Sequence, residues 1–261
     1  HLLPDQCRAA EWLMCSFNTC GLSRQALLQL VSDLEVDTPW DVLMLQELSS
    51  MNIFGPLSYD EFRSREDEMC QSSDLSRSEL DGHLLVMGTS PWRCNGVVVH
   101  RRHRACVTEI RTGVFPAVSL HTPSGQLTCV SAHLPNRNHG VEEFMETCSS
   151  LHEVVSRAQR TTKVLVGLDA NVSVNPEWST MVGQHVLCPD DGLSQGSPPN
   201  SAVGARPLVF SALLDALQIE VATAKRVQSA DDLVTHVAWN GGARSQIDFV
   251  LASGSLKCGD S

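Results

Sequence analysis

The apolar run Lys163-Val164-Leu165-Val166 leads directly into the polar segment Gly167-Leu168-Asp169-Ala170-Asn171. A short run rich in β-branched residues is typical of a buried strand, and the glycine predicts that this strand ends at position 167. A carboxylate and an amide two residues apart project from the same side of an extended chain. At the mouth of a sheet such a pair can bind a hard cation, a water molecule or a phosphate oxygen, although Asp and Asn also follow strands simply to form turns.

Polar residues also follow or interrupt four other apolar runs. They are Asn18 after the run that ends at Phe17, Glu47 after 43–46, His133 and Asn136 after 129–132, and Asp248 inside 247–250. Each has an ordinary alternative, because Asn and Glu start turns or cap the next segment and a histidine is often a satisfied core residue. Asp248 is harder to explain, since a carboxylate between Ile247 and Phe249 is costly to bury unless another group pairs with it.

Composition and charge limit the class of protein. With 261 residues, of which 42% are hydrophobic, the chain can bury a substantial core and suits one large domain. The formal net charge of -11 predicts a surface that repels nucleic acid on average. Contact with nucleic acid would therefore need metal ions or a local basic face. The densest basic cluster, 101–104, is interpreted as a solvated loop after a strand at 97–99.

Cysteine usage and hydropathy bear on the compartment. The chain has 10 cysteines and no C-x-x-C pair, which argues against structural zinc. Most of them, such as Cys15, Cys106 and Cys129, lie in apolar runs, which favours reduced thiols in an intracellular protein, nuclear or cytoplasmic and not secreted. The even count leaves a secreted, disulfide-linked chain as the alternative. No apolar run approaches the length that spans a membrane, so we expect no membrane partner.

Strand-like and helix-like segments alternate along the chain. The periodicity predicts helices over 22–34 with Ser23 as cap, over 141–158, and over 208–217 with Pro207 in the first turn. Strands are predicted at 11–17, 41–46, 84–87, 96–100, 117–121, 126–131 and 246–251, with a hairpin turn at 123–125. Residues 60–82 are interpreted as a long surface loop with at most one short helix, and 186–206 as a mobile loop. This pattern predicts a single α/β domain over 1–261, with two sheets packed face to face and helices outside.

In order and context these segments resemble the endonuclease/exonuclease/phosphatase superfamily, from Ser16 to about Ser253. The matching segments are Phe17-Asn18-Thr19-Cys20-Gly21-Leu22, Leu45-Gln46-Glu47, Ser131-Ala132-His133-Leu134-Pro135-Asn136, Gly167-Leu168-Asp169-Ala170-Asn171 and Ser245-Gln246-Ile247-Asp248-Phe249-Val250. The last segment is similar to that of LINE-type retrotransposon endonuclease domains, and the chain also resembles AP endonucleases. The resemblance implies a DNase I-like, four-layer α/β sandwich, in which two mixed sheets lie between helices.

The resemblance also implies cleavage of a phosphate ester that depends on a divalent metal. Glu47 would be the main metal ligand, assisted by Asn18. Mg²⁺ suits such a site, because it keeps several waters and needs only one or two carboxylates, and Mn²⁺ is the alternative. Asp169 would orient or deprotonate the attacking water.

The remaining site residues have roles toward the phosphate in this resemblance. Asn171 would hold the scissile phosphate, and His133 would stabilise or protonate one of its oxygens. Asn136 would contact a neighbouring phosphate. Asp248 would orient a histidine that follows in the last motif of the family.

Two positions depart from the family pattern. Many of its nucleases carry an acidic residue where this chain has Cys20, and cysteine is a poor ligand for Mg²⁺. The final Ser-Asp-His motif does not occur before the last residue, Ser261. We therefore interpret the chain as a fragment that is incomplete at its carboxyl terminus, with impaired catalysis, and as a monomeric domain of a larger polyprotein.

Three functions follow from this reading. The first is a Mg²⁺-dependent DNA endonuclease of retroelement type, with DNA as the partner. The second is a phosphatase or phosphodiesterase that acts on RNA ends, lipids or inositol phosphates, which the net charge favours slightly. The third is a degenerate, non-catalytic binding domain, to which Cys20 and the missing histidine point.

Overall fold

The structure, a computed structural model, describes residues 12–37, 40–48, 77–88, 94–136, 138–174, 202–221, 236–237 and 244–253. They belong to two compact units. The first unit comprises His1–Ala132 and Val164–Gly167, and the second comprises His133–Lys163 and Leu168–Ser261.

The described elements contain the predicted helices and strands in their predicted order, together with five elements that were not predicted, at 77–80, 101–106, 107–111, 219–221 and 236–237. They are β1 (Met14–Asn18), α1 (Arg24–Asp37), β2 (Val42–Leu48), β3 (Arg77–Leu80), β4 (His83–Met87), β5 (Cys94–Val99), a 3₁₀ helix (Arg101–Cys106), β6 (Val107–Arg111), β7 (Ala117–Thr122), β8 (Gly125–His133), α2 (Val141–Gln159), β9 (Lys163–Val174), α3 (Ala202–Leu217), β10 (Ile219–Val221), β11 (His236–Val237) and β12 (Arg244–Ser253).

Two mixed sheets with flanking helices make up the fold, which confirms the predicted class. The first sheet has the order β1-β2-β5-β4-β3, with β1 parallel to β2 and the other pairs antiparallel. The second has the order β10-β12-β9-β8-β7-β6, and β11 pairs with β12. Strands β7 and β8 form the predicted hairpin through a turn at 123–124.

One face of the first sheet packs against α1. Apolar side chains at helical spacing on α1, such as Leu27 and Val31, are at most 2% exposed and join a core with Leu43 and Leu45 of β2. Ser23 caps the helix as predicted, because its Oγ accepts a hydrogen bond from Ala26 N at 3.2 Å. Leu43 and Leu45 are two residues apart and therefore share one face of β2, which is the face that the helix covers.

Strand β2 contains an irregularity directly before its end. Its register with β5 shifts between Leu45 and Leu48. Both leucines lie in the same core cluster although they are three positions apart, which regular alternation would not allow. Glu47 lies within this register shift and has a left-handed backbone, with a φ of 53°. The bulge thus places a strained glutamate at the end of a buried strand.

The second unit holds helices α2 and α3. On α2 the buried residues include Phe144, Cys148, Leu151 and Val155, which follow the predicted helical face. Gln159 Nε2 of α2 donates a hydrogen bond to the carbonyl of the last residue of α3 at 3.0 Å. The helices are therefore joined within this unit.

Several predicted boundaries are wrong. Strand β9 does not end at Gly167 but continues to Val174, because Leu168, Ala170 and Val172 keep alternate positions buried. Helix α3 begins at Ala202, so Pro207 lies inside the helix and not in its first turn. Residues 77–80, predicted as loop, form β3, because their backbone pairs with β4. The rest of the predicted loops, 60–76 and 186–201, lies outside the described residues.

The basic cluster 101–104 is not a solvated loop. It forms most of the 3₁₀ helix, and His103 is only 1% exposed. Arg102 Nε donates to Asp41 Oδ1 at 3.1 Å, and Leu13 N donates to Asp41 Oδ2 at 2.6 Å. Because Asp41 is 3% exposed, it requires these donors, and part of the cluster serves the core of the first unit.

The cysteines partly follow the prediction. Cys129 and Cys148 are free and buried, and burial raises the pKa of each thiol to about 12, so both stay neutral. The prediction is wrong for Cys106, which is disulfide-bonded. A bond of this kind is typical of oxidising compartments. Among the described residues no helix combines the length and apolar character needed to cross a bilayer.

Candidate active site

Asn18 and Glu47 are brought to neighbouring positions at the ends of β1 and β2. The strands are parallel, with Asn18 level with Gln46. Beyond β1 the chain stays attached to β2, since Thr19 N donates to Gln46 O at 2.9 Å and Gly21 N donates to Glu47 O at 2.8 Å. The two predicted metal ligands therefore stand on adjoining strand ends of the first unit, which these backbone hydrogen bonds hold together.

Three residues of the predicted motifs have left-handed backbones. The φ angles are 47° at Cys20, 53° at Glu47 and 49° at Asn171. Of these three residues only Asn171 is of a type that tolerates this region well, and each of the other two costs about 1–3 kcal/mol. The surrounding structure must therefore impose the conformation. Asn18 Oδ1 contributes at one of these positions, because it accepts a hydrogen bond from Cys20 N at 2.9 Å.

A buried glutamine lies beneath the strand ends of the first unit. The side chain of Gln46 is fully buried. Its Nε2 atom lies within hydrogen-bond distance of Ser16 Oγ at 3.1 Å, Ser131 Oγ at 3.1 Å and the carbonyl of Gly167 at 3.2 Å. Ser131 Oγ in turn donates to Leu45 O at 2.7 Å. This network joins the tip of β2 to strands of both sheets, and it fixes the backbone that carries Glu47.

Gly167 allows β9 to pass close to β1 and β2. A Cβ atom at this position would lie 2.6 Å from Met44 Cβ, 2.6 Å from Ser16 Oγ and 3.1 Å from Ser16 Cβ. Real Cβ atoms do not approach so closely, so strand β9 can run this near to β1 and β2 only with a glycine. The glycine in the motif therefore has a packing role, and it does not end the strand.

In the second unit His133, Asp169 and Asn171 form a second group of predicted site residues. Asn171 Nδ2 donates to the carbonyl of Leu134 at 2.9 Å, which fixes the orientation of the amide because a carbonyl can only accept. The same nitrogen lies 2.9 Å from His133 Nε2, which must therefore be the acceptor. The neutral imidazole carries its proton on Nδ1 in this arrangement.

Asp169 is the buried member of this group. It is 1% exposed, and its Oδ1 accepts a hydrogen bond from Asn171 N at 3.0 Å. His133 Nε2 lies 3.8 Å from Asp169 Oδ2. The backbone of Asp169 is held as well, since its carbonyl accepts from Leu134 N at 2.8 Å. Three predicted residues from two strands thus meet within a few ångströms.

Asn136 and Asp248 also belong to the second unit. Asn136 follows β8, and its Oδ1 accepts from Asn138 N at 3.0 Å, which closes a tight turn. Asp248 lies within β12 and is partly buried, directly before the 2% exposed Phe249. The strand carrying Asp248 is therefore confirmed, while its proposed role toward a histidine stays a prediction.

A further carboxylate–imidazole group lies in the first unit and was not predicted. Glu35, His83 and His100 place their ligand atoms within 4.8 Å of one another. Arg101 N donates to His83 Nδ1 and Arg102 N donates to His100 Nδ1, so both neutral rings carry their protons on Nε2. These nitrogens lie 3.3 and 2.9 Å from Glu35 Oε1, and burial lowers the pKa of both histidines. Because a metal would need the Nε2 lone pairs, the group is a structural contact of α1 with β4 and with the residue that caps the 3₁₀ helix.

No model of a known protein family matches the chain, and no curated protein matches it either. Solved structures do match. The 3′ phosphatase NExo from Neisseria, bound to a product DNA hairpin, has a TM-score of 0.53 and 17% identity over 93% of this chain and 86% of its own. An AP endonuclease from Archaeoglobus fulgidus has a TM-score of 0.54 and 14% identity over 93% of this chain and 87% of its own.

A third match is the endonuclease domain of TRAS1, a telomere-specific non-LTR retrotransposon. It has a TM-score of 0.51 and 13% identity over 94% of this chain and 86% of its own. At such identities the likeness concerns the architecture. The chain has the DNase I-like fold of solved exonucleases, endonucleases and phosphatases, with two mixed sheets and flanking helices.

Proposed function

We propose that the chain is a Mg²⁺-dependent phosphodiesterase of the endonuclease/exonuclease/phosphatase superfamily, and that it acts on DNA as a retroelement-type endonuclease domain. The observation that carries the proposal is the group formed by His133, Asp169 and Asn171. A buried carboxylate, an amide and a neutral imidazole are the groups that handle water and phosphate oxygens. They stand on a fold that known nucleases and phosphatases share.

Glu47 and Asn18 would hold the metal. Carboxylate and amide oxygens are hard donors, which suits Mg²⁺ or Mn²⁺. Both residues belong to a segment fixed by backbone hydrogen bonds and by the Gln46 network. When bound, the metal would act as a Lewis acid that offsets the charge building up on the phosphate oxygens.

The other residues would act on water and phosphate. Asp169 would accept a proton from the attacking water or orient that water. Its carboxylate is already held in place, because Oδ1 accepts a hydrogen bond from the backbone N–H of Asn171. Both N–H groups of the Asn171 side chain are used within the protein. Asn171 can therefore donate to a phosphate oxygen only if it gives up one of these two hydrogen bonds. Protonation of His133 would break the bond to its Nε2, because a protonated ring nitrogen cannot accept. A protonated His133 would in turn donate to the phosphate.

The partner and the setting are inferred from chemistry. A chain with net charge -11 repels DNA at long range, so the metal and Asn136 would supply the local attraction. One structure of the same fold carries a product DNA hairpin, which supports DNA as the substrate class. We further propose that the chain is a single, monomeric domain of a larger polyprotein. We also propose that this polyprotein is intracellular, because five of the six described cysteines are free thiols, although Cys106 is disulfide-bonded.

The net charge favours one second candidate, a phosphatase or phosphodiesterase that acts on RNA ends or on small phosphate esters. Such substrates carry fewer charges than duplex DNA and are repelled less by an acidic surface. The same residues would perform the chemistry. Only the size and charge of the substrate would differ.

Plasmid nicking tests the proposal. We expect the protein to convert supercoiled plasmid to the nicked form with Mg²⁺ and not with EDTA, and to release little product from small phosphate esters. Faster release from RNA ends or small esters than from plasmid would establish the second candidate instead. If neither substrate is cleaved and calorimetry detects no Mg²⁺ or Mn²⁺ binding, the chain is a non-catalytic binding domain.

Replacing Cys20 by aspartate is expected to tighten Mg²⁺ binding about tenfold, because it adds a hard ligand beside Asn18. Aspartate also tolerates the left-handed backbone at this position, where φ is 47°. Cys20→Ser is the matched control, since it removes the exposed thiol without adding charge. Calorimetric titration would measure both variants, and equal affinities for the two would contradict the assignment of this loop to the metal.

A further inference from the structure

Arg206 has no place in any motif of the sequence, yet it is one of the most buried charged residues described. It lies on α3 in the second unit and is 5% exposed. Long basic side chains rarely enter a protein interior unless their donors are used. Its surroundings therefore call for a physical explanation.

The guanidinium group of Arg206 binds both ends of the segment that follows β8. Nη1 donates to the carbonyl of Pro135 at 2.8 Å, and Nη2 donates to the carbonyl of His139 at 2.5 Å. The group also lies over the ring of Phe144, with Cζ 4.9 Å from the ring centroid. Hydrogen bonds from a charged donor are stronger than neutral ones, and the aromatic face offsets part of the burial cost.

The segment between the two carbonyls contains Asn136, and its start is fixed by the candidate active site. Leu134 N donates to Asp169 O, and the Leu134 carbonyl accepts from Asn171 Nδ2. His139 N donates to the carbonyl of Asn136 at 3.1 Å. The β9 contacts therefore hold one end of this segment, and Arg206 holds the turn on either side of Asn136.

We propose that Arg206 is a positioning residue, which fixes Pro135 and His139 on either side of Asn136 so that Asn136 can bind a phosphate of a polymeric substrate next to the scissile one. This inference rests on the proposed function and adds a residue to it. The planar guanidinium reaches the two carbonyls with two different nitrogens, Nη1 and Nη2, whereas a lysine would have a single nitrogen for both. Its positive charge also favours an anion near the turn.

A lysine substitution separates positioning from overall stability. Arg206→Lys keeps the charge but replaces two donor nitrogens by one, so it cannot keep both hydrogen bonds in their present geometry, and we expect the KM for an oligonucleotide to rise about tenfold. The rate on a small diester such as bis(p-nitrophenyl) phosphate, which has no neighbouring phosphate, should change less than twofold. A merely structural role would lower both rates in proportion to the folded fraction.

A double-mutant cycle with Asn136→Ala tests the route of the effect. If Arg206 acts through Asn136, then adding Arg206→Lys to Asn136→Ala should raise the oligonucleotide KM by no more than about twofold. If the two substitutions instead raise the oligonucleotide KM by factors that multiply in the double variant, the proposal is overturned. It is also overturned if Arg206→Lys lowers the rate on the small diester as much as it lowers the rate on the oligonucleotide.

Hydrogen exchange gives a readout that does not need activity. In Arg206→Lys we expect faster amide exchange in 134–140, including His139 N, while α2 exchanges at the rate of the unsubstituted protein. Unchanged exchange in 134–140 would overturn the positioning role. If the unsubstituted protein cleaves no phosphate ester, the proposed function fails by itself, and the exchange result still decides whether Arg206 holds the segment.

Discussion

Replacing Glu47 by alanine is expected to reduce Mg²⁺-dependent hydrolysis by about 10³-fold or more, because it removes the carboxylate proposed as the main metal ligand. The fold should change little. The backbone of Glu47 is held by Gly21 N and by the neighbouring Gln46 network, and neither uses the carboxylate. Plasmid nicking, calorimetric Mg²⁺ titration and thermal unfolding would measure the three consequences.

Two matched variants sharpen this test. Glu47→Gly removes the same carboxylate and also relieves the left-handed backbone, so it should be equally inactive and at least as stable as Glu47→Ala. Glu109→Ala removes an exposed carboxylate of the same unit that pairs with Arg111, and its activity should match that of the unsubstituted protein. A Glu47→Ala protein that still nicks plasmid would end the metal assignment.

Runs of apolar residues predicted most of the strands, and apolar residues at helical spacing predicted the helices, because buried positions exclude most polar side chains. The ends of the elements were predicted less well. On β9 the apolar run is followed by Gly167, which suggested the end of the strand, although the strand continues through Asp169 and Asn171 to Val174. On α3, Pro207 suggested that the helix begins near this residue, whereas the helix begins at Ala202 and contains the proline.

The candidate site was predictable in its chemistry and not in its geometry. Motif residues such as Asp169 and Asn171 stood out because they place polar side chains directly beside an apolar run. The role of Gln46 had no such signal, since its contacts with Ser16, Ser131 and Gly167 depend on strands far apart along the chain. Arg206 was hidden for the same reason, because its partners are backbone carbonyls that any sequence provides. The proton positions on His133, His83 and His100 also follow only from their partners.

Substituting alanine for Gly167 is expected to destabilise the protein by about 2–3 kcal/mol, because the new methyl group would overlap atoms that cannot move independently. Met44 Cβ and Ser16 Oγ lie 2.6 Å from the Cβ position, and both side chains belong to buried strand surfaces. Strand β9 would have to move away, which would lengthen the bond from Gln46 Nε2 to the Gly167 carbonyl. For a chain of this size the midpoint of thermal unfolding should fall by about 5–10 °C.

Gly140→Ala is the matched control for this steric argument. Its φ is -66°, and the nearest atom to a new Cβ is 4.0 Å away, so the midpoint should shift by less than about 3 °C. Ser16→Gly removes one of the two overlapping side chains, so the double variant with Gly167→Ala should lose less stability than the two single changes added together. Strict additivity, or a Gly167→Ala protein that unfolds at the original temperature, would show that β9 does not need its glycine to approach β1 and β2. Because Asp169 and Asn171 follow two and four residues further along the same strand, such a result would also remove the packing explanation for where these side chains stand.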